Sequence, residues 1–214
     1  MKFINSCKLA LALLGFGALG TATVASAASY QVNLDTSAVV GHVAGPFYLD
    51  FQSIWGSGSD QAITVSDFVL TGGAFVAGTD VAIGAVTGSV ASSLVLAPGV
   101  GSVYNEFFQQ FEATVSHIQF NVDINGGASG AIPTSFAVSL LDAANLWAIP
   151  TTGFADTLVM FDIDGANTNY STGMSIGDTA GVQASVPDTG ATIVMLFGGI
   201  AVLGLVRRRF FAAA

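Results

Sequence analysis

Apolar and polar residues alternate along the interior of this chain with the period of two that a half-buried strand needs. Tyr30, Val32 and Leu34 alternate with Gln31, Asn33 and Asp35, and Phe47, Leu49 and Phe51 with Tyr48, Asp50 and Gln52. Residues 63–70 (ITVSDFVL) are mostly β-branched or aromatic. The clearest run is Ser116 to Ile124, with Ile118, Phe120, Val122 and Ile124 on one face and His117, Gln119, Asn121 and Asp123 on the other. Thr134 to Leu140 and Leu158 to Ile163 continue the series. One apolar and one polar face per strand predicts an antiparallel sheet packed on one side only.

Turn chemistry separates these runs. Gly56-Ser57-Gly58-Ser59-Asp60, Thr71-Gly72-Gly73, Asn125-Gly126-Gly127 and Asp164-Gly165-Ala166-Asn167 all offer residues that tolerate positive φ. Short strands between such turns predict an all-β fold, an antiparallel β-sandwich of jelly-roll-like form, over residues 28–165. Tyr104 to Ala113 (YNEFFQQFEA) fits a helical turn or an aromatic strand, and its Phe and Tyr content favours the strand. Residues 166–185, rich in Gly, Ser and Thr, read as a tether.

The two ends follow other rules. Lys2 and Lys8 precede an uncharged run from Leu9 to Gly20, and Ala25-Ser26-Ala27 follows it. A basic start, an apolar middle and an A-x-A site predict a secretory signal peptide over residues 1–27, with Ala28 as the first mature residue. The Sec translocon and signal peptidase are the partners this implies. At the other end, Ser185-Val186-Pro187-Asp188-Thr189-Gly190 precedes the uncharged stretch Ala191 to Val206 and then Arg207, Arg208 and Arg209. As a helix with ~1.5 Å rise per residue that stretch would reach about 24 Å, a thin membrane span. The arginines would remain on the cytoplasmic side and leave the β-domain outside.

Charge narrows the functional classes. No lysine or arginine occurs between Lys8 and Arg207, whereas all fourteen carboxylates, Asp35 to Asp188, lie in that interval. Such a surface cannot neutralise phosphates, so nucleic acid is not an expected partner. Arginine clamps for anionic substrates are equally absent. Cys7 is the only cysteine and falls within the signal peptide, which excludes thiol catalysis and structural disulfides in the exported part.

The C-terminal order of a Pro-containing motif, a short apolar stretch and an Arg cluster resembles the PEP-CTERM class of sorting signals, in the variant with V-P-D-S/T-G. Residues 186–210 would then hold the motif, the single transmembrane helix and the Arg cluster. The resemblance implies recognition of Val186, Pro187, Asp188, Thr189 and Gly190 by an exosortase. This is a membrane-embedded processing enzyme of Gram-negative bacteria that make extracellular polysaccharide. V-P-D-T-G also stands one residue from the Gram-positive sortase signal L-P-x-T-G, which would be cut between Thr189 and Gly190. Val186 in place of Leu, with no long Pro/Ser/Thr-rich region before the motif, favours the exosortase. Residues 30–164, with VNLDTSA, FYLDFQ, NEFFQQF and FAVSLLDA, are similar to a family of PEP-CTERM proteins that carries no assigned activity. The expected product is an exported surface protein, held at the membrane until processing and structural or adhesive in exopolysaccharide, biofilm or envelope.

Candidate chemistry in the β-domain is sparse. His42 and His117 form no metal-spaced pair. Asp162-Ile163-Asp164-Gly165 and Asp123-Ile124-Asn125-Gly126 resemble fragments of calcium loops, with oxygen ligands two residues apart beside Gly, so Asp123, Asp162 and Asp164 are the candidate Ca²⁺ ligands. The same residue types end strands. Tyr48, Trp55 and Trp147 are the aromatics that could stack on sugar, and core or rim packing suits each as well. No nucleophile elbow, phosphate loop or dinucleotide fingerprint is present, and the chain is not expected to be an enzyme.

Overall fold

A computed structural model of the chain describes residues 28–56, 61–99, 103–125, 134–143, 146–164 and 167–186. Ala25 and Ala27 of the expected signal peptide, the motif residues from Pro187 to Gly190, the expected helix and Arg207 to Arg209 lie outside them. Among the described residues no helix is long and apolar enough to cross a membrane.

The alternating run 116–124 becomes β8 (His117–Asn125), in the interior of a six-stranded antiparallel sheet. Its neighbours are β1 (Ala28–Asp35) and β3 (Ala62–Thr71). Outside these lie β12 (Gln183–Ser185) on one flank and β6 (Ser93–Leu96) and β5 (Val86–Gly88) on the other. The second antiparallel sheet runs β11 (Asn167–Thr172), β10 (Val159–Asp164), β9 (Thr134–Leu141), β2 (Tyr48–Ile54), β7 (Tyr104–Gln110) and β4 (Val81–Ile83). The ambiguous stretch at 104 is thus a strand. It pairs with β2 over its whole length, Tyr48 facing Gln110 and Ile54 facing Tyr104.

The sheets pack face to face, as their single apolar faces require. Val32, Leu34, Ile118, Phe120 and Val122 of the first sheet and Leu49, Phe51, Phe136, Val138 and Phe161 of the second share one buried core. Aromatic rings join the layers: Phe51 meets Phe120 edge-on at 5.4 Å between centroids, and Tyr30 lies 5.1 Å from Phe161. These offset and tilted geometries match the ring quadrupole.

Two features depart from plain alternation. In β3 the register shifts between Ser66 and Val69, where Asp67 sits at φ 54°. The extra residue of this bulge changes which parity points inward, so Ile63 and Val65 face the core before it and Phe68 and Leu70 after it. The Asn121 amide donates to Asp67 Oδ2 at 2.9 Å across the bulge.

The segment 166–185, expected to be a tether, instead supplies β11 and β12, so the folded domain extends to Val186. β11 pairs with β10 from Asp164↔Asn167 to Val159↔Thr172, and β12 pairs with β1. Between them lies a single 3₁₀ turn, Gly177–Thr179. Polar bonds fix this region: Ser175 Oγ donates to the Thr179 carbonyl and accepts from the Val182 N–H at 2.8 Å. Val182 is fully buried.

Candidate functional site

β2 and β7 direct their even-numbered side chains to the outer face of the second sheet. Alternation predicts that Asp50 on that face is solvated, yet it is completely buried. Asp50 is directly paired with Phe108 on one side and Ser139 on the other, both nearly buried. The Gln52 amide donates to Asp50 Oδ2 at 2.8 Å and, more weakly, to Glu106 Oε1 at 3.4 Å. Asp50 Oδ1 has no hydrogen-bond partner. Burial raises the Asp50 pKa to about 8, the Glu106 charge adds to this, and the Gln52 bond opposes it. The Tyr104 hydroxyl is likewise pushed above its ordinary range, by burial first and then by Glu106 and Asp50. Asp50, Gln52, Tyr104 and Glu106 therefore form a polar cluster whose innermost acid is mostly protonated at neutral pH. Sequence reasoning missed it because nothing in Y-L-D-F-Q distinguishes a covered outer-face position from a wet one.

A second polar site lies on the outer face of the first sheet, at the last strand before the C-terminal motif. Asn33, Asp35, His117, Gln183, Ala184 and Ser185 line a shallow cavity of about 220 Å³. Asp35 faces His117 directly across the β1–β8 ladder. Ser37 donates to Asp35 Oδ1 from its hydroxyl at 2.6 Å and from its backbone N–H at 3.0 Å. These two bonds lower the Asp35 pKa, with a smaller contribution from His117. His42 is not part of either site. Its Nδ1 accepts the Ala44 N–H at 3.1 Å, closing a turn.

The three carboxylates proposed for calcium do not come together. Asp123 is on the outer face of the first sheet, whereas Asp162 and Asp164 project from the outer face of the second. Asp162 Oδ1 accepts a hydrogen bond from Ser135 Oγ at 3.1 Å. Among the described residues no three His, Cys, Asp or Glu side chains gather as a metal site. Of the three sugar-stacking candidates, Trp55 belongs to the core and Tyr48 packs edge-on against Phe108 at 5.6 Å. Trp147 is 74% exposed.

Val186, the first motif residue, is the last one described. Its side chain is 6% exposed and belongs to the core cluster. Its carbonyl accepts the Tyr170 hydroxyl at 2.8 Å.

The fold and this junction define an all-β protein of two packed antiparallel sheets whose final strand leads directly into a Pro-centred segment. Residues 185–210 match the family model of the VPDSG-CTERM motif, so the chain carries a variant of the PEP-CTERM-type C-terminal sorting signal. A signal of this type marks an exported, envelope-associated protein and implies processing by an exosortase. Comparisons with curated proteins and with solved structures returned no match.

Proposed function

We propose that this chain is a non-catalytic surface protein, structural or adhesive in the exopolysaccharide, biofilm or envelope layer, exported by Sec and released or relocated by an exosortase. The sorting signal at residues 185–210 is the observation that carries the reading. The charge pattern supports it. Thirteen carboxylates within residues 28–186, with no lysine or arginine there, keep the domain soluble and averse to other polyanions. Anchoring before processing falls to the uncharged stretch 191–206, with Arg207, Arg208 and Arg209 retained inside.

Intact mass and fractionation in the native host, with and without the exosortase, test this. The expected product ends near Val186–Gly190 and is lost in the deletion strain. A full-length membrane form in both strains would remove the processing step and leave a simple anchored β-domain.

A second reading is a glycan-binding module. It is favoured by the half-buried Gln52, Tyr104 and Glu106 beside Tyr48, since carboxylate, amide and aromatic groups on one sheet face suit sugar hydroxyls and ring faces. Retention of the wild type but not of a Tyr104→Ala/Glu106→Ala variant on the host's own polysaccharide would support it. Equal elution of both with the void would reject it.

A further inference from the structure

We infer that the fold gates its own sorting signal: β12 and the Tyr170 hydroxyl hold Val186 in the domain, and the exosortase acts only after this end has peeled from β1. The inference rests on the exosortase reading above. β12 runs straight into the motif, with no tether between them. Ser185 pairs with Asn33, Ala184 with Leu34 and Gln183 with Asp35. The next residue, Val186, is the first of the motif. It is buried in the core cluster, and its carbonyl is bound by Tyr170 on β11, a strand of the other sheet. An enzyme that reads the motif as extended chain needs that backbone free, because its own pairing groups must replace those of the domain.

The geometry suits local release. β12 has three residues and pairs with β1 at the flank of its sheet, so detaching it leaves β1 paired with β8 from Ala28 to Asp35. Peeling has a natural stop at Val182, which is fully buried and exchanges backbone and hydroxyl hydrogen bonds with Ser175. One buried valine, one hydroxyl–carbonyl bond, the bridge from Gln183 to Met174 and a short ladder keep the open form rare. When opening is fast relative to cleavage, the processing rate follows that population. Tyr170→Phe removes one hydrogen bond to Val186 and should speed processing about five-fold.

The decisive variant is Asn33→Cys/Ser185→Cys. Directly paired antiparallel residues have Cα atoms about 4.5–5.5 Å apart, within disulfide range. Cys7, in the signal peptide, is the only native cysteine, so mispairing is avoided in the exported chain. Membranes of the native host containing the exosortase and the full chain are assayed by intact mass, with and without dithiothreitol. Accumulation of the oxidised precursor, with processing restored by the reductant, supports the gate, as does faster processing of Tyr170→Phe. Equal rates for the oxidised and reduced forms, while the wild type is cut in an exosortase-dependent way, overturn the gate alone. A wild type that is never cut overturns the exosortase reading and the gate together.

Discussion

Replacing Asp50 by Asn should change how stability depends on pH, because the folded protein holds a proton that the unfolded chain releases. The Asp50 carboxyl is fully buried, with one oxygen bonded to Gln52 and the other without a partner, and its pKa stands at about 8 against 3.8 when free. Between these values the native state binds more protons than the unfolded state, so stability is lost as pH rises and levels off above about 8. The slope is about 1.4 kcal/mol per pH unit, which makes the wild type weaker at pH 8 than at pH 5 by about 4 kcal/mol from this group alone. Asn keeps the shape and a neutral acceptor for Gln52 but has no proton to lose. Urea unfolding of the exported domain, residues 28–186, should show the wild-type midpoint falling by on the order of 1–2 M relative to Asp50→Asn over that range. Other carboxylates titrate in both proteins, so the difference isolates Asp50. Glu106→Gln should move the wild-type transition to lower pH, since the Glu106 charge is the second cause of the shift. Parallel midpoints for wild type and Asp50→Asn from pH 5 to 8 would refute the reasoning, showing that Asp50 is hydrated or ionised in the folded state.

Two packing predictions accompany it. Phe51 is fully buried and touches the rings of Phe68, Phe120 and Phe136, so Phe51→Ala should lower unfolding free energy by about 3–5 kcal/mol in urea titrations. An effect below about 1 kcal/mol would mean the two layers are not joined through this ring. Asn105, also fully buried, accepts from the Ala85 N–H at 2.7 Å and donates to the Ala97 carbonyl at 2.6 Å. Asn105→Ala leaves both groups unpaired and should cost about 2 kcal/mol or more, with hydrogen exchange rising first at Ala85.

Much of the fold was legible in the sequence because strands such as β1 and β8 are buried on one face. Residues 116–124 alternate without a break, and they lie in the interior of the first sheet, where register is most strongly specified. The aromatic content of 104–113 resolved that stretch as a strand for a similar reason. Gln183, Ala184 and Ser185 have no comparable pattern. Their strand exists because β1 has a free flank and because Ser175 and Val182 anchor the approach, a contact between distant residues that no local window contains. The same limit applies to the sites. The motif at 186–190 was readable because sorting signals are contiguous in sequence, whereas Asp50 and Glu106 lie on different strands.

The sequence by itself determined the all-β class, the alternation of strands such as β1 and β8, the lack of lysine and arginine between Lys8 and Arg207, and the sorting signal. These follow from residue type and short-range period alone. The tertiary structure decided that Asp50 is covered rather than wet, because β7 and β9 flank β2 with Phe108 and Ser139. It separated Asp123 from Asp162 and Asp164 by assigning their strands to different sheets. It also decided that Val186 belongs to the core, because the last strand closes on the first and Tyr170 reaches its carbonyl from the opposite layer. Each of these depends on which strands become neighbours, and pairing between distant segments is set by the packing of the whole core.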